Sequence, residues 1–358
     1  MNGKALAVIA VAALTCASVG LFYGLRSDGS DGHDEIEITD MVGDRVTIRK
    51  NPSKVAVLAR SAVDMMVAFG LGDRIDGVYY TVLDNAWAKF IYPESEGYFK
   101  YSYDTTVETY VSRGVDLVIA PEKYIADNLR SHGIDSFTVS QYGNPNYDGS
   151  VFAFAEIVRS VWDGGGAGSK IDDWERGFDE VRSEILSKVP GGEAEKSVYY
   201  VRGDKNKGIR YTENSEKTVQ NTFAKYLGLD YVGKSYDSSE PTAERLLADD
   251  PDYIIVGGAY QNRIIADAKS DPVWKNLSAV KGGRIFNIGV GFVMFEQNSV
   301  ELTIYLADLA NKIYPDRFAF DVPQMLKDCM LKYFGKEISD GDAENMLSGR
   351  GPDGESLA

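Results

Sequence analysis

The chain contains one short pattern twice, and this repeat constrains its fold more than any other feature. In the first copy, a Thr-Val-Glu triplet ends at Glu108, and Asp116 follows eight residues later with an apolar run. In the second copy, Thr-Ala-Glu ends at Glu244, and Asp252 follows at the same spacing with another apolar run. Each copy is typical of a short helix followed by a buried strand. The repeat therefore predicts two related lobes with a cleft between them.

Strand-like and helix-like segments alternate along both halves of the chain. The predicted strands are residues 55–58, 75–78, 117–120, 136–139, 197–201, 253–256 and 284–288. Such alternation is typical of parallel sheets with crossover helices. Leu-Gly pairs at 71–72 and 227–228 end helices at corresponding places in the two halves. We therefore predict an α/β fold with two Rossmann-like lobes that contain parallel sheets.

An amphipathic segment lies between the two repeats. Its apolar residues, at spacings of three and four, are Ile171, Trp174, Phe178, Val181, Ile185 and Val189. This pattern predicts a helix of about 20 residues, or roughly 30 Å. It could be another core helix, but its position between the repeats favours a single long bridging helix that joins the lobes.

Composition along the chain predicts the domain boundaries. Residues 27–45 and the residues from 340 onward are rich in Gly, Asp and Ser, a composition that buries too little apolar surface to fold alone. The predicted order is an N-terminal membrane anchor or signal segment (1–26), an acidic tether (27–45), an N-terminal lobe (46–150), an inter-lobe segment with the bridging helix (151–192), a C-terminal lobe (193–336) and a disordered tail (337–358).

The N-terminal segment has the length of a membrane span. Residues 5–25 carry no charge, and about 21 helical residues extend roughly 30 Å. Lys4 precedes this segment and acidic residues follow it, so the remainder of the chain is expected on the outer face of the cytoplasmic membrane, on its periplasmic or extracellular side. We predict an uncleaved anchor. The alternatives are a cleaved signal peptide and a lipoprotein site at Cys16.

Charge and residue usage exclude several classes of function. The chain has 54 acidic against 38 basic residues, a net charge of −16, which argues against a nucleic-acid partner. Its two histidines, His33 and His132, are too few for a His-rich metal site. Neither a dinucleotide fingerprint nor a Cys-x-x-Cys motif is present. We therefore predict a protein that is not an enzyme and has no resident cofactor or metal.

Several motifs together resemble those of one family. They lie at residues 52–57, 69–78, 106–119, 132–134, 244–255 and 273–285. In order and spacing, they make the chain similar to the class III substrate-binding proteins of ABC importers, which carry ferric siderophores, haem or cobalamin. Each motif alone is only a fold signature. The chain departs from the family pattern at residue 115, where a valine replaces the usual proline before Asp116.

The resemblance implies an architecture and a set of partners. Family members hold ligand between two lobes joined by one rigid helix, and a glutamate from each lobe pairs with arginines of the membrane permease. Glu108 and Glu244 match those positions. On residue chemistry alone, each is also a first-turn glutamate that favours a helix N-terminus capped by threonine. The expected partners are an ABC permease with its cytoplasmic ATPase and a small-molecule metal chelate, and the expected state is a monomer.

Ligand contacts are expected from loops at the carboxyl ends of the strands. These loops carry the candidate ligand-binding residues Arg60, Tyr79, Tyr80, Lys123, Tyr124, Tyr142, Arg202, Arg210, Tyr211, Tyr260, Arg263 and Phe292. Tyrosine offers a flat face with a hydroxyl, and arginine suits carboxylate groups. We predict a ferric siderophore as ligand, ahead of cobalamin and haem. Met294 could ligate haem, but its apolar neighbours favour a core position. The alternative from another class is a surface enzyme that processes metal chelates.

Overall fold

The computed structural model describes residues 34–140, 152–164, 166–189, 194, 196–297 and 299–357. The strands are β1 Glu35–Thr39, β2 Arg45–Arg49, β3 Val55–Val57, β4 Ile75–Tyr79, β5 Phe99–Tyr101, β6 Leu117–Ala120, β7 Ser136–Thr138, β8 Lys196–Val201, β9 Leu229–Tyr231, β10 Tyr253–Val256 and β11 Ile285–Asn287. Among the described helices, none is long and apolar enough to cross a bilayer. The predicted anchor and Tyr142 lie outside the described residues.

The helices occupy the connections between strands and the C-terminal region. They are α1 Arg60–Ala68, α2 Ala86–Ile91, α3 Val107–Arg113, α4 Lys123–Ser131, α5 Ala153–Val161, α6 Ala167–Lys188, α7 Val219–Tyr226, α8 Ala243–Asp249, α9 Gln261–Ser270, α10 Ser278–Lys281, α11 Leu302–Ile313, α12 Val322–Phe334 and α13 Asp340–Leu347.

Two parallel sheets form the centres of the two lobes. The first has the order β5-β4-β3-β6-β7, and the second has the order β9-β8-β10-β11. All pairings within both sheets are parallel. Strands β4-β3-β6-β7 therefore correspond in order to β9-β8-β10-β11, with β5 added at one edge of the first sheet. The predicted α/β fold with parallel sheets is confirmed.

The two repeat aspartates have the same structural role. Asp116 Oδ2 accepts hydrogen bonds from the backbone N–H groups of Ser53 (2.9 Å) and Lys54 (3.1 Å), just before β3. Asp252 Oδ2 accepts one from the backbone N–H of Ser197 in β8 (2.8 Å). Each aspartate thus fixes the start of the strand that pairs with its own. Because the backbone N–H groups at or just before the start of a strand need hydrogen-bond partners, this contact explains why both repeats carry an aspartate at this point.

Helix α6 is the predicted bridging helix. It has 22 residues and therefore extends about 33 Å. Phe178 is fully buried, with Phe152 on one side (ring centroids 5.4 Å apart) and Phe223 of α7 on the other (6.0 Å). Trp174 donates its indole N–H to the Val300 carbonyl (3.0 Å). Trp174 also packs against Phe69 of the first lobe (ring centroids 6.1 Å apart), so the helix contacts elements of both lobes through one apolar stripe.

The predicted acidic tether was wrong for residues 34–45. Strands β1 and β2 form an antiparallel pair there, and Ile38 is buried. Asp40 accepts a hydrogen bond from Thr138 N (3.0 Å), which attaches the pair to β7. Exposed Glu35 and Glu37 alternate with isoleucines, so the acidic composition concealed a strand with one apolar face.

The predicted disordered tail was also wrong. Helix α13 begins with a capping box between Ser339 and Asp342, an arrangement that stabilises a helix start. Ala343 and Met346 are fully buried. Their spacing of three places both on one face of a short helix. A composition rich in Gly and Asp therefore did not prevent folding, because the helix start is capped and these two side chains are buried against the rest of the protein.

Candidate functional site

A cavity of about 720 Å³ lies between the two lobes. The segments that follow β3, β8 and β10 contribute Arg60, Arg202 and Gly258 to its wall. These are carboxyl ends of parallel strands, where ligands bind in open α/β sheets. The volume falls within the range of roughly 300–1,000 Å³ that is typical of small-molecule sites. We call this space the cleft.

The structure brings five predicted ligand-binding residues to the cleft wall: Arg60, Arg202, Tyr211, Tyr260 and Phe292. Arg60 is exposed at the start of α1. The Arg202 guanidinium lies 4.6 Å from the centre of the Tyr211 ring, so the aromatic face helps to orient it. Phe292 is almost fully buried, and its carbonyl accepts a hydrogen bond from Asn85 across the lobes (2.9 Å).

Tyr79 and Tyr80 lie at the end of β4 but are not on the cleft wall. Together with Tyr103 they form an aromatic cluster, in which Tyr79 is 4.8 Å from Tyr80 and 4.2 Å from Tyr103 between ring centres. Burial raises the pKa of Tyr79 and of Tyr103, although the nearby Arg60 opposes this rise. Tyr79 and Tyr103 are therefore neutral phenols at neutral pH, and they lie near Arg60 of the cleft wall.

Four other predicted residues also lie away from the cleft wall: Lys123, Tyr124, Arg210 and Arg263. Lys123 forms ion pairs with Asp44 and Asp127. Tyr124 and Arg210 are exposed, and Arg263 pairs with Asp267 along α9 (3.6 Å). The Asp44 pairing depends on the turn between β1 and β2, which the sequence analysis did not predict.

Asn85 is a cleft residue that sequence reasoning missed. Its side-chain oxygen caps α2 by accepting a hydrogen bond from Trp87 N (3.0 Å). Its side-chain nitrogen donates to the carbonyls of Gly291 (3.0 Å) and Phe292 (2.9 Å) in the second lobe. One asparagine therefore shapes a helix start and links the lobes at the cleft. The available signal was an Asn before a helical segment.

Glu296 lies on the cleft floor and was likewise missed. Its side chain is 5 % exposed, and Oε1 accepts a hydrogen bond from the Tyr200 hydroxyl (3.0 Å). Burial raises the pKa of Glu296 to about 7. Burial also raises the pKa of nearby Glu213 to about 8, against the opposing charge of Arg202. Near neutral pH these carboxyl groups therefore carry less negative charge than their formal count.

Further cleft residues come from unexpected parts of the chain. Met294, which the sequence analysis assigned to the core, is half-buried on the cleft wall. The C-terminal segment contributes Gly351, Pro352, Asp353, Ser356 and Leu357. Within the described residues, no group of three or more His, Cys, Asp or Glu side chains is placed to hold a metal ion.

The two predicted docking glutamates occupy equivalent positions in the lobes. Glu108 is exposed in the first turn of α3, before β6, and Glu244 is exposed in the first turn of α8, before β10. Hydrogen bonds from its own backbone N–H and from Thr106 lower the pKa of Glu108. Thr242 caps α8 by accepting from Arg245 N (3.2 Å). Both carboxylates are thus presented at surface helix starts.

Comparisons with known proteins agree with this architecture. No protein-family model matches the chain. An uncharacterized ABC transporter substrate-binding lipoprotein of Bacillus subtilis, YvrC, is 26% identical over 298 residues, which are 79% of this chain and 87% of the relative. The Fe(3+)-citrate-binding protein YfmC of the same organism is 22% identical over 304 residues, which are 80% of this chain and 90% of the relative.

A solved structure with the same fold is the molybdate periplasmic binding protein MolA of Haemophilus influenzae, bound to molybdate. It has a TM-score of 0.69 and 16% identity, and the match covers 85% of this chain and 99% of that protein. These relatives and neighbours are solute-binding proteins rather than enzymes. In sequence and in fold, the chain thus resembles the substrate-binding components of ABC importers.

Proposed function

We propose that this chain captures a ferric siderophore in the cleft and delivers it to the permease of an ABC importer. The observation that carries the proposal is that Arg60 of the first lobe and Arg202 of the second lobe both line the cavity. A guanidinium recognises carboxylate and similar anionic oxygens through paired hydrogen bonds. An anionic chelate between the lobes would therefore contact an arginine from each side.

The electrostatics of the cleft floor support an anionic ligand. Burial raises the pKa of Glu296, which lines the cleft, to about 7, and that of nearby Glu213, which does not line it, to about 8. Near pH 7 Glu213 is therefore mostly protonated and Glu296 partly protonated, which reduces their repulsion of an anion, and a protonated Glu296 can donate a hydrogen bond. Asp84 and Asp204 on the wall provide acceptors for the amide or hydroxyl groups of a larger chelate.

The names of similar proteins point to the same chemistry. One relative is named an Fe(3+)-citrate-binding protein, and one structural neighbour is bound to molybdate. Ferric citrate and molybdate are both oxygen-rich anionic species. A cleft with an arginine on each side suits ligands of this kind.

Replacement of the two arginines tests the ligand site. Arg60→Gln and Arg202→Gln should each weaken the binding of a ferric chelate by about tenfold or more, because a charge-assisted hydrogen bond contributes roughly 1.5–3 kcal/mol. The control is Arg45→Gln, since Arg45 is exposed in β2, pairs with Glu37 and does not line the cleft. Isothermal titration with ferric citrate and a ferric hydroxamate measures the three variants. Equal affinities for all three and the unaltered protein would show that these arginines do not form the site.

A cobalamin or haem receptor is the alternative within the same type of protein. Met294 on the cleft wall would serve as an axial ligand to haem iron. The alternative from another class, an enzyme that processes metal chelates, would release a chemically changed chelate. Incubation with stoichiometric chelate followed by mass spectrometry of the released ligand distinguishes capture from turnover.

We also propose that Glu108 and Glu244 dock the protein on the permease. Their equivalent exposed positions allow one carboxylate from each lobe to contact an arginine on the membrane partner. Glu108→Lys with Glu244→Lys should abolish uptake of labelled chelate in cells while leaving chelate affinity in solution unchanged. Glu337→Lys, at another exposed glutamate, is the matched control and should transport normally. Parallel loss of uptake and affinity would contradict a docking role.

The N-terminal segment is proposed to hold the protein at the outer face of the cytoplasmic membrane. One relative is named a lipoprotein, which favours attachment to a membrane. The uncharged residues 5–25 and Cys16 offer two means of attachment. Cys16→Ala should leave the protein in the membrane fraction if the segment itself is the anchor. Release of this variant into the soluble fraction would indicate lipidation instead.

A further inference from the structure

The C-terminal segment after α13 lines the cleft and contacts both lobes. In the second lobe, Asn262 donates its side-chain N–H to the carbonyls of Ser348 (3.2 Å) and Gly349 (3.0 Å). In the first lobe, the buried indole of Trp87 donates to the Arg350 carbonyl (2.6 Å). Three consecutive carbonyls of one segment are therefore bound from opposite sides of the cleft.

The residues beyond these contacts fold back on themselves. Gly351 N donates to the Glu355 carbonyl (2.8 Å), and Gly354 N donates to the Gly351 carbonyl (2.9 Å). Arg350 and Ser356 form an antiparallel bridge. The result is a closed turn whose residues lie on the cleft wall. Because these N–H groups form hydrogen bonds within the turn, they do not need hydrogen bonds from a ligand in the cavity.

Helix α13 holds this segment in place from its other end. Val290 N donates to the Met346 carbonyl (2.9 Å), and the Asn287 side chain donates to the Leu347 carbonyl (2.6 Å). Lys336, just before α13, lies 4.0 Å from the centre of the Phe90 ring in the first lobe. The segment is therefore fixed along its length and does not merely end near the cavity.

We propose that residues 348–357 are a strap that closes one side of the cleft and limits the size of the ligand that enters it. The strap links the lobes through the Trp87 and Asn262 contacts, and its turn forms a wall of a cavity that still has about 720 Å³ of space. Since this volume remains beside it, the strap is a wall of the site rather than a substitute for the ligand. The inference deepens the proposed function, but its first test requires no ligand.

The first test measures access to a thiol inside the cleft. Met294→Cys places a thiol on a half-buried part of the cleft wall. Peptide mass spectrometry follows its labelling by N-ethylmaleimide and by a bulky fluorescein maleimide in the full-length protein. Removal of residues 348–358 should raise the ratio of bulky to small labelling rates by about tenfold, because the mouth widens when local contacts are lost. An unchanged ratio would overturn the proposal.

A point substitution guards against a truncated protein that fails to fold. Gly349 has φ +64°, and a Cβ there would clash with the side-chain amide of Gln261, whose oxygen is already bound by Ile288 N (2.8 Å). Gly349→Ala should therefore displace the strap and raise the labelling ratio in the same direction. Gly335→Ala is the matched control: its φ is +67° but no atom crowds its Cβ. Equal ratios for the two variants would contradict the strap.

A second substitution tests the link between the lobes. Trp87→Phe removes the indole donor to the Arg350 carbonyl while keeping an aromatic ring in the core. It should raise the ratio of bulky to small labelling rates. Trp162→Phe is its control, since Trp162, in the segment between the lobes, donates to the Pro52 carbonyl (3.0 Å) and not to the strap. If Trp87→Phe left the labelling ratio unchanged, or changed it no more than the control, the Trp87 contact would not restrain the cleft.

Ligand measurements then separate this inference from the proposed function. In the truncated protein, affinity for ferric citrate should fall relative to affinity for a larger ferric hydroxamate. If the unaltered protein binds neither chelate, the proposed ligand is wrong, while the labelling ratio still decides whether the strap closes the cleft. If truncation raises affinity for every chelate tested, the segment competes with ligand and its role as a wall is refuted.

Discussion

Glu296 on the cleft floor provides a quantitative test of the buried electrostatics. Its pKa is raised to about 7 because burial penalises the charged form. In the unfolded chain, a glutamate ionises near its ordinary pKa of 4.5. Between these values the folded protein keeps a proton that the unfolded chain has released. The free energy of unfolding should therefore decrease as the pH rises from about 4.5 to about 7.

The size of this effect follows from the two pKa values. Their difference, 7 − 4.5, corresponds to about 3 kcal/mol, since each pH unit contributes about 1.4 kcal/mol. Glu296→Gln keeps the shape and the acceptor for Tyr200 but cannot ionise. Relative to the unaltered protein, the variant should gain about 3 kcal/mol of unfolding free energy between pH 4.5 and pH 8.

Urea denaturation at pH 5, 6.5 and 8 measures this gain directly. The same change at an exposed site, Glu337→Gln, is the control and should follow the pH dependence of the unaltered protein. Glu213, with a pKa of about 8, is present in all three proteins, so a pH dependence remains above pH 7. If Glu296→Gln and the unaltered protein show parallel curves from pH 5 to pH 8, Glu296 is ionised in the folded state and the reasoning fails.

Two further predictions concern the framework that positions the cleft. Phe178→Ala should lower the free energy of unfolding by about 3–5 kcal/mol, because it leaves a cavity between the lobes, whereas Leu186→Ala, at a residue 52 % exposed on the same helix, should cost far less in urea denaturation. Asp116→Ala and Asp252→Ala should each cost about 0.5–1.5 kcal/mol through the lost hydrogen bonds to backbone N–H groups of the adjoining strand. Equal stability of either variant and the unaltered protein would contradict the shared structural role.

The framework could be predicted from the sequence because its signals are local. The bridging helix was predicted at residues 171–189 and found at Ala167–Lys188, since its apolar spacing matches the helical period. The repeat aspartates marked strand starts because the same hydrogen-bonding need arises in each lobe. Arg60 and Arg202 were correctly expected to line the cleft, because each lies just after the carboxyl end of a strand in its own parallel sheet.

The remaining parts depend on contacts between distant residues. Lys123 follows the central strand β6, where ligand-binding loops are expected. It forms an ion pair with Asp44 in the β1–β2 turn, however, and does not line the cleft. The composition of residues 348–357 does not predict the C-terminal strap, because the strap is held by Trp87 and Asn262, which are far away in the chain. Glu296 could not be recognised as a buried acid, since its neighbour Tyr200 is supplied by another strand.

The proposed function requires that the cleft bind an anionic ferric chelate without changing it. Titration of the full-length protein with ferric citrate, a ferric hydroxamate, haemin and cobalamin, followed by tryptophan fluorescence, tests this requirement. Trp87 donates to the strap at the cleft, so its emission should report occupancy. We expect saturable binding of one ferric chelate, at least about tenfold tighter than that of haemin or cobalamin. Failure of both ferric chelates to bind, or tighter binding of haemin or cobalamin, would contradict it.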